Sequence, residues 1–478
     1  MDNQQKKINY VREQLSRADS RASAYANDAS GKERPRRNCY VLLDRYLREF
    51  TIGQNRSSRW LAISGLRGTG KTTLMAQLYL NLNAPVERKL FISIDHAVQL
   101  LNSNITELVD IYEQQLGESL ESVKEPVYLF FDEVQYDPQW ALALKSIYDR
   151  SPNVFIMSTG SSALELNSNP DTARRVITET LLPMSFTEYQ KIHSGTFEVR
   201  GLSSRLRSAL KDADTASDIY EALVSNTAKI TEYWARVDSN DINKYLQYGS
   251  MPFMAALGNP ALAFDQLERS IDRIIGGDVL KLGQFGADIV ARIPQVLYSI
   301  ADSDAPSVNA MSNSLSITRP TLTRILDALE KAEVLYRLAP STASHAAQIR
   351  QPDKYMFTTP AIRAMYFTLT GSTRASQQVL GHLLEDMVVM YLRRIYGERS
   401  LTNSITHNTA TGSADFMVTR GQKQYVIETG LGHKDSRQVL ATPHTRHDRI
   451  GIIISNDELS IDKKNNIVTV PIRQFVLM

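Results

Sequence analysis

Residues 65–72, Gly65-Leu66-Arg67-Gly68-Thr69-Gly70-Lys71-Thr72, match the spacing G-x-x-x-x-G-K-[ST]. That spacing suits phosphate chemistry. Glycines let backbone N–H groups turn inward on a phosphate, and a helix opening behind them adds its positive end. On this reading Gly65, Arg67, Gly68, Thr69, Gly70, Lys71, Thr72 and Thr73 cradle a nucleotide. Lys71 reaches the β- and γ-phosphates, and Thr72 ligates Mg²⁺. Further on, the apolar run Val127–Phe131 ends in Asp132 and Glu133. A buried strand ending in an acid delivers a carboxylate to the edge where parallel sheets bind ligands. Asp132 is expected in the Mg²⁺ shell, and Glu133 as the group that polarises the attacking water. The next apolar run ends in Ser158-Thr159-Gly160-Ser161. Thr159, slightly ahead of Ser158, is the candidate γ-phosphate sensor; a helix cap is the competing use of the same residues. Arg174 and Arg175 precede the fifth run. In a ring of subunits either could reach a neighbour's nucleotide as an arginine finger, whereas a surface pair is the plainer use. No Asn-Lys-x-Asp element reads guanine, so the expected nucleotide is ATP.

Two further groups could do chemistry. Glu385 sits in a helical stretch, Asp415 begins a strand and Glu428 ends the next. Three such carboxylates can converge on Mg²⁺ and activate water against a phosphodiester, making this a possible second metal or DNA site. Residues 303–340 read as helix, turn, helix, with Pro320 in the first turn of the second helix. There Leu322, Ile325, Leu326, Leu329 and Ala332 repeat at three and four, which leaves Arg319, Thr321, Arg324 and Lys331 on or near the exposed face as DNA-contact candidates. Asp327 and Glu330 dilute that face, and such units also serve as packing modules between domains. Five of the eight histidines (His382, His407, His433, His444, His447) lie in the C-terminal part and read as surface or phosphate-contact residues.

The elements that must position these groups follow from periodicity. Short apolar runs at Trp60–Ser64, Leu90–Asp95, Val127–Asp132, Val154–Gly160 and Val176–Leu182 alternate with helical stretches near 71–82, 105–115 and 138–150. Strand alternating with helix predicts a parallel sheet covered on both faces. Residues 200–300 are mostly helical, and 375–478 return to α/β with strands near Ala414–Thr419, Gln424–Glu428, Arg449–Ile454 and Ile467–Pro471. Residues 1–31 read as a loose helix and a flexible stretch, leading into Arg34-Pro35-Arg36-Arg37 and an amphipathic helix near Tyr40–Phe50. Residues 1–60 hold 13 Lys/Arg against 7 Asp/Glu, a basic excess that suits a polyanion or a solvated surface.

Composition sets the limits. The 478 residues are 42% hydrophobic and 22% charged, which excludes a disordered or collagen-like chain and leaves room for two to four domains. Cys39 is the single cysteine, so neither an internal disulfide nor a cysteine zinc knuckle can form. No apolar run reaches the roughly 18 residues of a membrane span, and the polar start shows no signal peptide; no membrane partner is expected, and the expected location is the cytoplasm.

Gly65–Thr73, the acids of Leu129–Gln135, Trp140 with Leu144–Asp149, Ser158–Ser162, Leu182–Tyr189 and Tyr245–Pro252 together resemble a large prokaryotic family. Its members are AAA+-type P-loop ATPases carrying a winged helix and a restriction-endonuclease-like domain. The resemblance spans roughly residues 35–460 and fits poorly between Val199 and Asn240. It implies an α/β P-loop ATPase with a parallel sheet, followed by a helical lid, a winged helix and a C-terminal α/β restriction-endonuclease-like domain. The expected divisions are a basic N-terminal helical arm (1–55), ATPase core (56–200), lid with insertion (201–285), winged helix (286–370) and C-terminal domain (371–478). It further implies ATP hydrolysis, assembly into a ring and contact with DNA. Mg²⁺ as the expected metal, a ring of six and contact with branched DNA complete the working expectation. Glu385, Asp415 and Glu428 resemble that family's acidic constellation, but Gly430 stands where its lysine belongs; Lys434 could reach back only from four residues further, past Gly430 and Gly432, which argues for a silent domain over a working nuclease. The leading expectation is an ATP-driven machine that translocates on or remodels DNA. A nucleotide-gated switch that recruits a partner protein and an ATP-regulated nuclease in defence against foreign DNA are the alternatives.

Overall fold

The computed structural model describes residues 3–160, 174–303, 307–341, 351–369, 376–397, 403–443 and 449–478. Ser161, Ser162, His444 and His447 lie outside the described residues. The chain folds as two compact units, Met1–Leu181 and Leu182–Met478.

The first unit is built on five strands: β1 (Trp60–Ser64), β2 (Lys89–Ser93), β3 (Val127–Asp132), β4 (Val154–Thr159) and β5 (Ile177–Thr180). All pairings are parallel, in the order β2-β3-β4-β1-β5. Every residue of β1 to β4 is buried, which explains why the sequence shows continuous apolar runs and not alternation. Pleating still sorts the side chains. Leu61, Ile63, Tyr128, Phe130, Phe155 and Met157 point to one face, where they pack with Leu74, Met75 and Leu78 of the Lys71–Asn81 helix. Trp60, Ala62, Leu129, Phe131 and Ile156 point to the other face, with Ile105, Leu108, Leu144 and Ile147.

The N-terminal segment is not a loose arm. Helices Asn3–Ser16 and Ala18–Ala26 belong to the packed unit. Ala18, Ala22 and Ala26, spaced by four, lie buried in the same core cluster as Leu74 and Leu78. Alanine lets the helix approach closely, and its weak hydrophobicity hid the stripe in the sequence. A further difference is the helix Ile94–Leu101, which starts inside the stretch read as a strand ending at Asp95.

The second unit begins at Leu182, within the stretch assigned from sequence to the ATPase core. Its eight-stranded mixed sheet runs β12-β13-β11-β10-β9-β8-β6-β7. The strands are β6 (Leu335–Pro340), β7 (Lys354–Phe357), β8 (Asn403–His407), β9 (Phe416–Arg420), β10 (Lys423–Thr429), β11 (Arg449–Ser455), β12 (Ser460–Asp462) and β13 (Ile467–Pro471). The β6–β7 hairpin follows helices Val308–Leu315 and Arg319–Lys331 and joins β8 in register, Ala339 opposite Thr406. Helices Leu202–Asp212, Ala216–Ser225 and Thr227–Trp234, the stretch that fits the resemblance poorly, are tied to the C-terminal part. Ala216 N–H donates to Asn466 Oδ1 at 2.7 Å, and Trp234 Nε1 to the Arg473 carbonyl at 3.0 Å. A buried ion pair links three further elements. Arg363 donates to Asp386 at 2.6 and 3.1 Å and to the carbonyls of Ile300 and Ala301, while Asp386 also accepts from Phe357 N–H. Among the described residues no helix is long and apolar enough to cross a membrane.

Candidate functional site

The Gly65–Thr73 loop links the end of β1 to the Lys71–Asn81 helix. Gly65 has φ 138°, and a Cβ there would stand 2.5 Å from the Leu181 carbonyl oxygen, so only glycine fits. Gly68 and Gly70 take φ 88° and 97°, the left-handed turns that fold the loop inward. Thr69 is buried, and its hydroxyl donates to the Leu66 carbonyl at 2.9 Å. Lys71 Nζ donates to the carbonyls of Gly65 (2.8 Å) and Leu66 (3.3 Å), so the ammonium braces the loop from inside. Arg67 is half-buried in the loop, and Thr72 and Thr73 are half-buried in the first helical turn.

Pleat parity brings the acid to this loop. Asp132 shares its strand face with Tyr128 and Phe130, the face that carries the Lys71–Asn81 helix. Thr72 Oγ1 donates to Asp132 at 2.9 and 3.1 Å. β4 lies between β1 and β3, and by the same parity Thr159 faces this side while Ser158 faces the other. Thr159 accordingly donates its hydroxyl to Asp132 Oδ1 and accepts the Glu133 N–H at 3.0 Å. Ser158 lies near Trp60 Nε1 in the opposite layer. Asp132 thus has two hydroxyl donors, and among the described residues no cationic side chain forms an ion pair with it. Burial, and then the neighbouring Glu133 charge, push its carboxyl up to about 6 against the pull of those hydroxyls and of the Lys71 charge. Glu133 itself sits at φ 56°, ψ 49°. A left-handed non-glycine residue costs on the order of 1–3 kcal/mol, strain typical of functional positions. Its carboxylate accepts from Gln135 Nε2.

Arg174 and Arg175 are placed differently. β5 runs parallel to β1 with Ile177 opposite Leu61, so residues preceding Ile177 lie toward the sheet edge opposite the loop. Arg175 donates to Asp149 at 2.8 and 3.1 Å, so in this arrangement its guanidinium is committed within the chain; Arg174 is exposed.

The C-terminal carboxylates meet other fates. Lys354 Nζ donates to Glu385 Oε2 at 2.7 Å. Asp415 Oδ2 accepts from the N–H and hydroxyl of Thr429 at 2.8 and 2.7 Å. Lys434 Nζ donates to Glu428 Oε1 at 2.6 Å. Gly430 makes that last contact possible, because a Cβ there would stand 2.2 Å from Lys434 Cε. Burial alone would raise Glu385, but Lys354 outweighs it and holds the carboxyl below its usual range. Burial and then Asp415 push Glu428 up to about 7 despite Lys434. Asp415 lies within electrostatic reach of both Glu385 and Glu428, but among the described residues no three His, Cys, Asp or Glu side chains gather closely enough to hold an ion. Glu385 and Glu428 each pair with a lysine.

On the Arg319–Lys331 helix, Leu322, Ile325, Leu326 and Leu329 are buried as the spacing requires. Arg319 and Lys331 are exposed, and Thr321 joins the Thr318 cap. Arg324 is exposed too, with its guanidinium bonded to the Gly283 carbonyl and 5.3 Å over the Phe285 ring. Asp327 and Glu330 pair with Arg337 at 3.3 and 3.0 Å, so they dilute the basic face less than the sequence implied. His407 is no surface residue; it is buried in β8, with Nε2 3.0 Å from the Pro352 carbonyl.

Sequence reasoning missed Arg37. It is buried, and Nη1 donates to the carbonyl of Thr69 in the loop at 2.5 Å. A three-arginine run just ahead of a P-loop strand was the available signal.

Comparison with known proteins agrees with this geometry. Residues 57–190 match an AAA domain, and residues 239–373 match a domain of unknown function (DUF8612). The chain is 32% identical over 437 residues to an uncharacterized protein, MJ1637, of Methanocaldococcus jannaschii, covering 89% of this chain and 86% of that one. Two solved structures show weak overall similarity. The Thermotoga maritima RuvB Holliday junction branch migration motor has TM-score 0.27 and 17% identity, over 66% of this chain and 97% of that one. AMPPCP-bound DnaA from Aquifex aeolicus has TM-score 0.25 and 15% identity, over 61% and 87%.

Proposed function

The chain belongs to the family of the Methanocaldococcus jannaschii protein MJ1637, and from that premise we propose that its AAA domain hydrolyses ATP with Mg²⁺ at the Gly65–Thr73 loop. The observation that carries the reading is Asp132, a buried acid held by the hydroxyls of Thr72 and Thr159, with the Lys71 charge nearby but no salt bridge to it among the described residues. That donor set fits a hard divalent cation, with Thr72 and Asp132 as its protein oxygens. A cation bound there would screen the phosphate charge.

The chain's own groups supply the rest. Lys71 already grips two loop carbonyls and can exchange them for phosphate oxygens. Glu133, fixed by its strained backbone and by Thr159, takes the proton of the attacking water. Thr159 lies between the two acids and transmits the state of one to the other. A small-molecule kinase is disfavoured, because a water-activating glutamate would waste ATP.

In the finer reading, subunits form a ring of six, Arg174 or Arg175 completes the neighbour's site, and turnover is coupled to movement on DNA. Exposed Arg319 and Lys331, on a helix followed by the β6–β7 hairpin, support a winged-helix contact with phosphates. The C-terminal domain acts in this reading as a silent DNA-binding or structural module, because two of its three acids already hold a lysine. Cleavage of DNA that requires Mg²⁺ and disappears in Asp415→Ala would reverse that assignment. The direct test is the ATPase rate without DNA, with duplex and with branched DNA, for the wild type and Glu133→Gln. Stimulation by DNA, lost in Glu133→Gln, supports the motor; a DNA-independent rate that vanishes in the variant moves the assignment to a switch that recruits a protein partner.

A further inference from the structure

The three arginines ahead of β1 divide their work. Arg34 Nε donates to the Asn27 carbonyl at 3.0 Å. Arg36 pairs with Glu33 and lies 4.2 Å over the Tyr40 ring. Arg37 alone of the three is buried, and it reaches the phosphate loop, with Nη1 2.5 Å from the Thr69 carbonyl oxygen. Its backbone is anchored on both sides. Tyr40 N–H donates to the Arg37 carbonyl at 3.0 Å, and buried Gln77, on the helix that the loop opens, donates to the Arg34 carbonyl at 2.7 Å.

A trans peptide points its C=O and its N–H in opposite directions. Holding the Thr69 carbonyl toward Arg37 therefore turns the Gly70 N–H away from Arg37. Among the described residues that N–H makes no backbone hydrogen bond, so a donor stands open in the loop. Nothing on the Gly70 side fixes this orientation, because glycine at φ 97° tolerates either sign of φ and the peptide plane can turn over. A charged donor on the carbonyl supplies the missing constraint, and it also polarises the N–H opposite.

We propose that Arg37 is a positioning residue of the phosphate cradle: it holds the Thr69–Gly70 peptide with its N–H presented to a nucleotide phosphate. The inference rests on the reading of the loop as a nucleotide site. It places the N-terminal segment, otherwise a packing element, in the binding step. Arg37 does not touch the reacting atoms, so its removal weakens affinity for phosphate-bearing ligands more than it slows chemistry.

The test is the affinity of the full-length protein for ATP, ADP and adenosine, with melting temperature and steady-state kinetics, for the wild type, Arg37→Ala, Arg37→Lys and Lys71→Ala. Arg37→Ala should weaken ATP and ADP by about tenfold, leave adenosine unchanged, and raise KM more than it lowers kcat. Arg37→Lys should recover part of the loss, because an ammonium also donates to a carbonyl. Should Arg37→Ala fail to fold, Arg37→Lys carries the test, with a twofold to fivefold loss confined to ATP and ADP as the expected result. Wild-type affinity for ATP and ADP in the folded Arg37 variants overturns the inference, as does an equal loss for adenosine. A wild-type chain that binds neither ATP nor ADP overturns the nucleotide reading, and this inference with it.

Discussion

Both units carry buried or half-buried carboxylates, and they partner most of them differently. In the first unit Asp132 is held by Thr72 and Thr159, neutral donors that orient the acid without cancelling its charge. In the second, Lys434 pairs with Glu428 and Lys354 with Glu385, while Asp415 accepts from the N–H and hydroxyl of Thr429. The contrast teaches that a site is marked less by its acids than by what is left for them to bind. Hydroxyls leave the demand for a cation standing, whereas a lysine meets part of it: Glu428 Oε2 is still buried without a hydrogen-bond partner among the described residues. Arg363–Asp386 is the closed limit, with both charges buried and every visible demand met inside the fold.

The comparison can be broken or sharpened in order of expected effect. Arg363→Ala strands a buried carboxylate and should cost about 3–5 kcal/mol in denaturant unfolding; a loss below 1 kcal/mol would show that the pair is not closed. Lys71→Ala should lower ATP turnover by about 10²–10³-fold with the melting temperature nearly unchanged. Wild-type turnover in that variant would remove the loop from the chemistry. Lys434→Ala leaves Glu428 buried beside Asp415, and should destabilise by about 1–3 kcal/mol. Adding Glu428→Gln should recover much of that loss, whereas a double variant as unstable as the single one would mean the lysine acts through packing.

The smallest expected effect is a pH dependence. Asp132 titrates at about 6 in the folded chain, above its ordinary value near 4. Its contribution to stability is therefore greatest below pH 4 and is lost as pH rises through about 6. Mg²⁺ reverses the sign, because only the ionised acid binds it. Mg²⁺ affinity should fall toward tenfold per pH unit below about 6, and Asp132→Asn should flatten the profile; isothermal titration between pH 5 and 8 reads both.

Much of the first unit was legible. The runs at Trp60, Val127 and Val154 mark strands because burial on both faces leaves no polar positions to blur them. The G-x-x-x-x-G-K-T spacing located the loop, and the Asp132–Glu133 pair located the acids. Thr159 could have been separated from Ser158 by counting parity along β4 from the residues that face the Lys71 helix. The alanine stripe of Ala18, Ala22 and Ala26 escaped because alanine carries little hydrophobic signal. The union of β6 with β8 also escaped, since a pairing of residues 339 and 406 leaves no local trace. That Lys434 could reach back past Gly430 was open from the sequence; that it does so, to Glu428, is a property of the folded loop.

The central claim is that the open acid site hydrolyses ATP, and it is tested most directly by comparing the wild type with Glu133→Gln for ATP binding and phosphate release in Mg²⁺. The account predicts that Glu133→Gln binds ATP as the wild type does while releasing phosphate about 10²–10⁴-fold more slowly. Equal phosphate release by the two proteins, or no release from the wild type in the presence or absence of DNA, would contradict it.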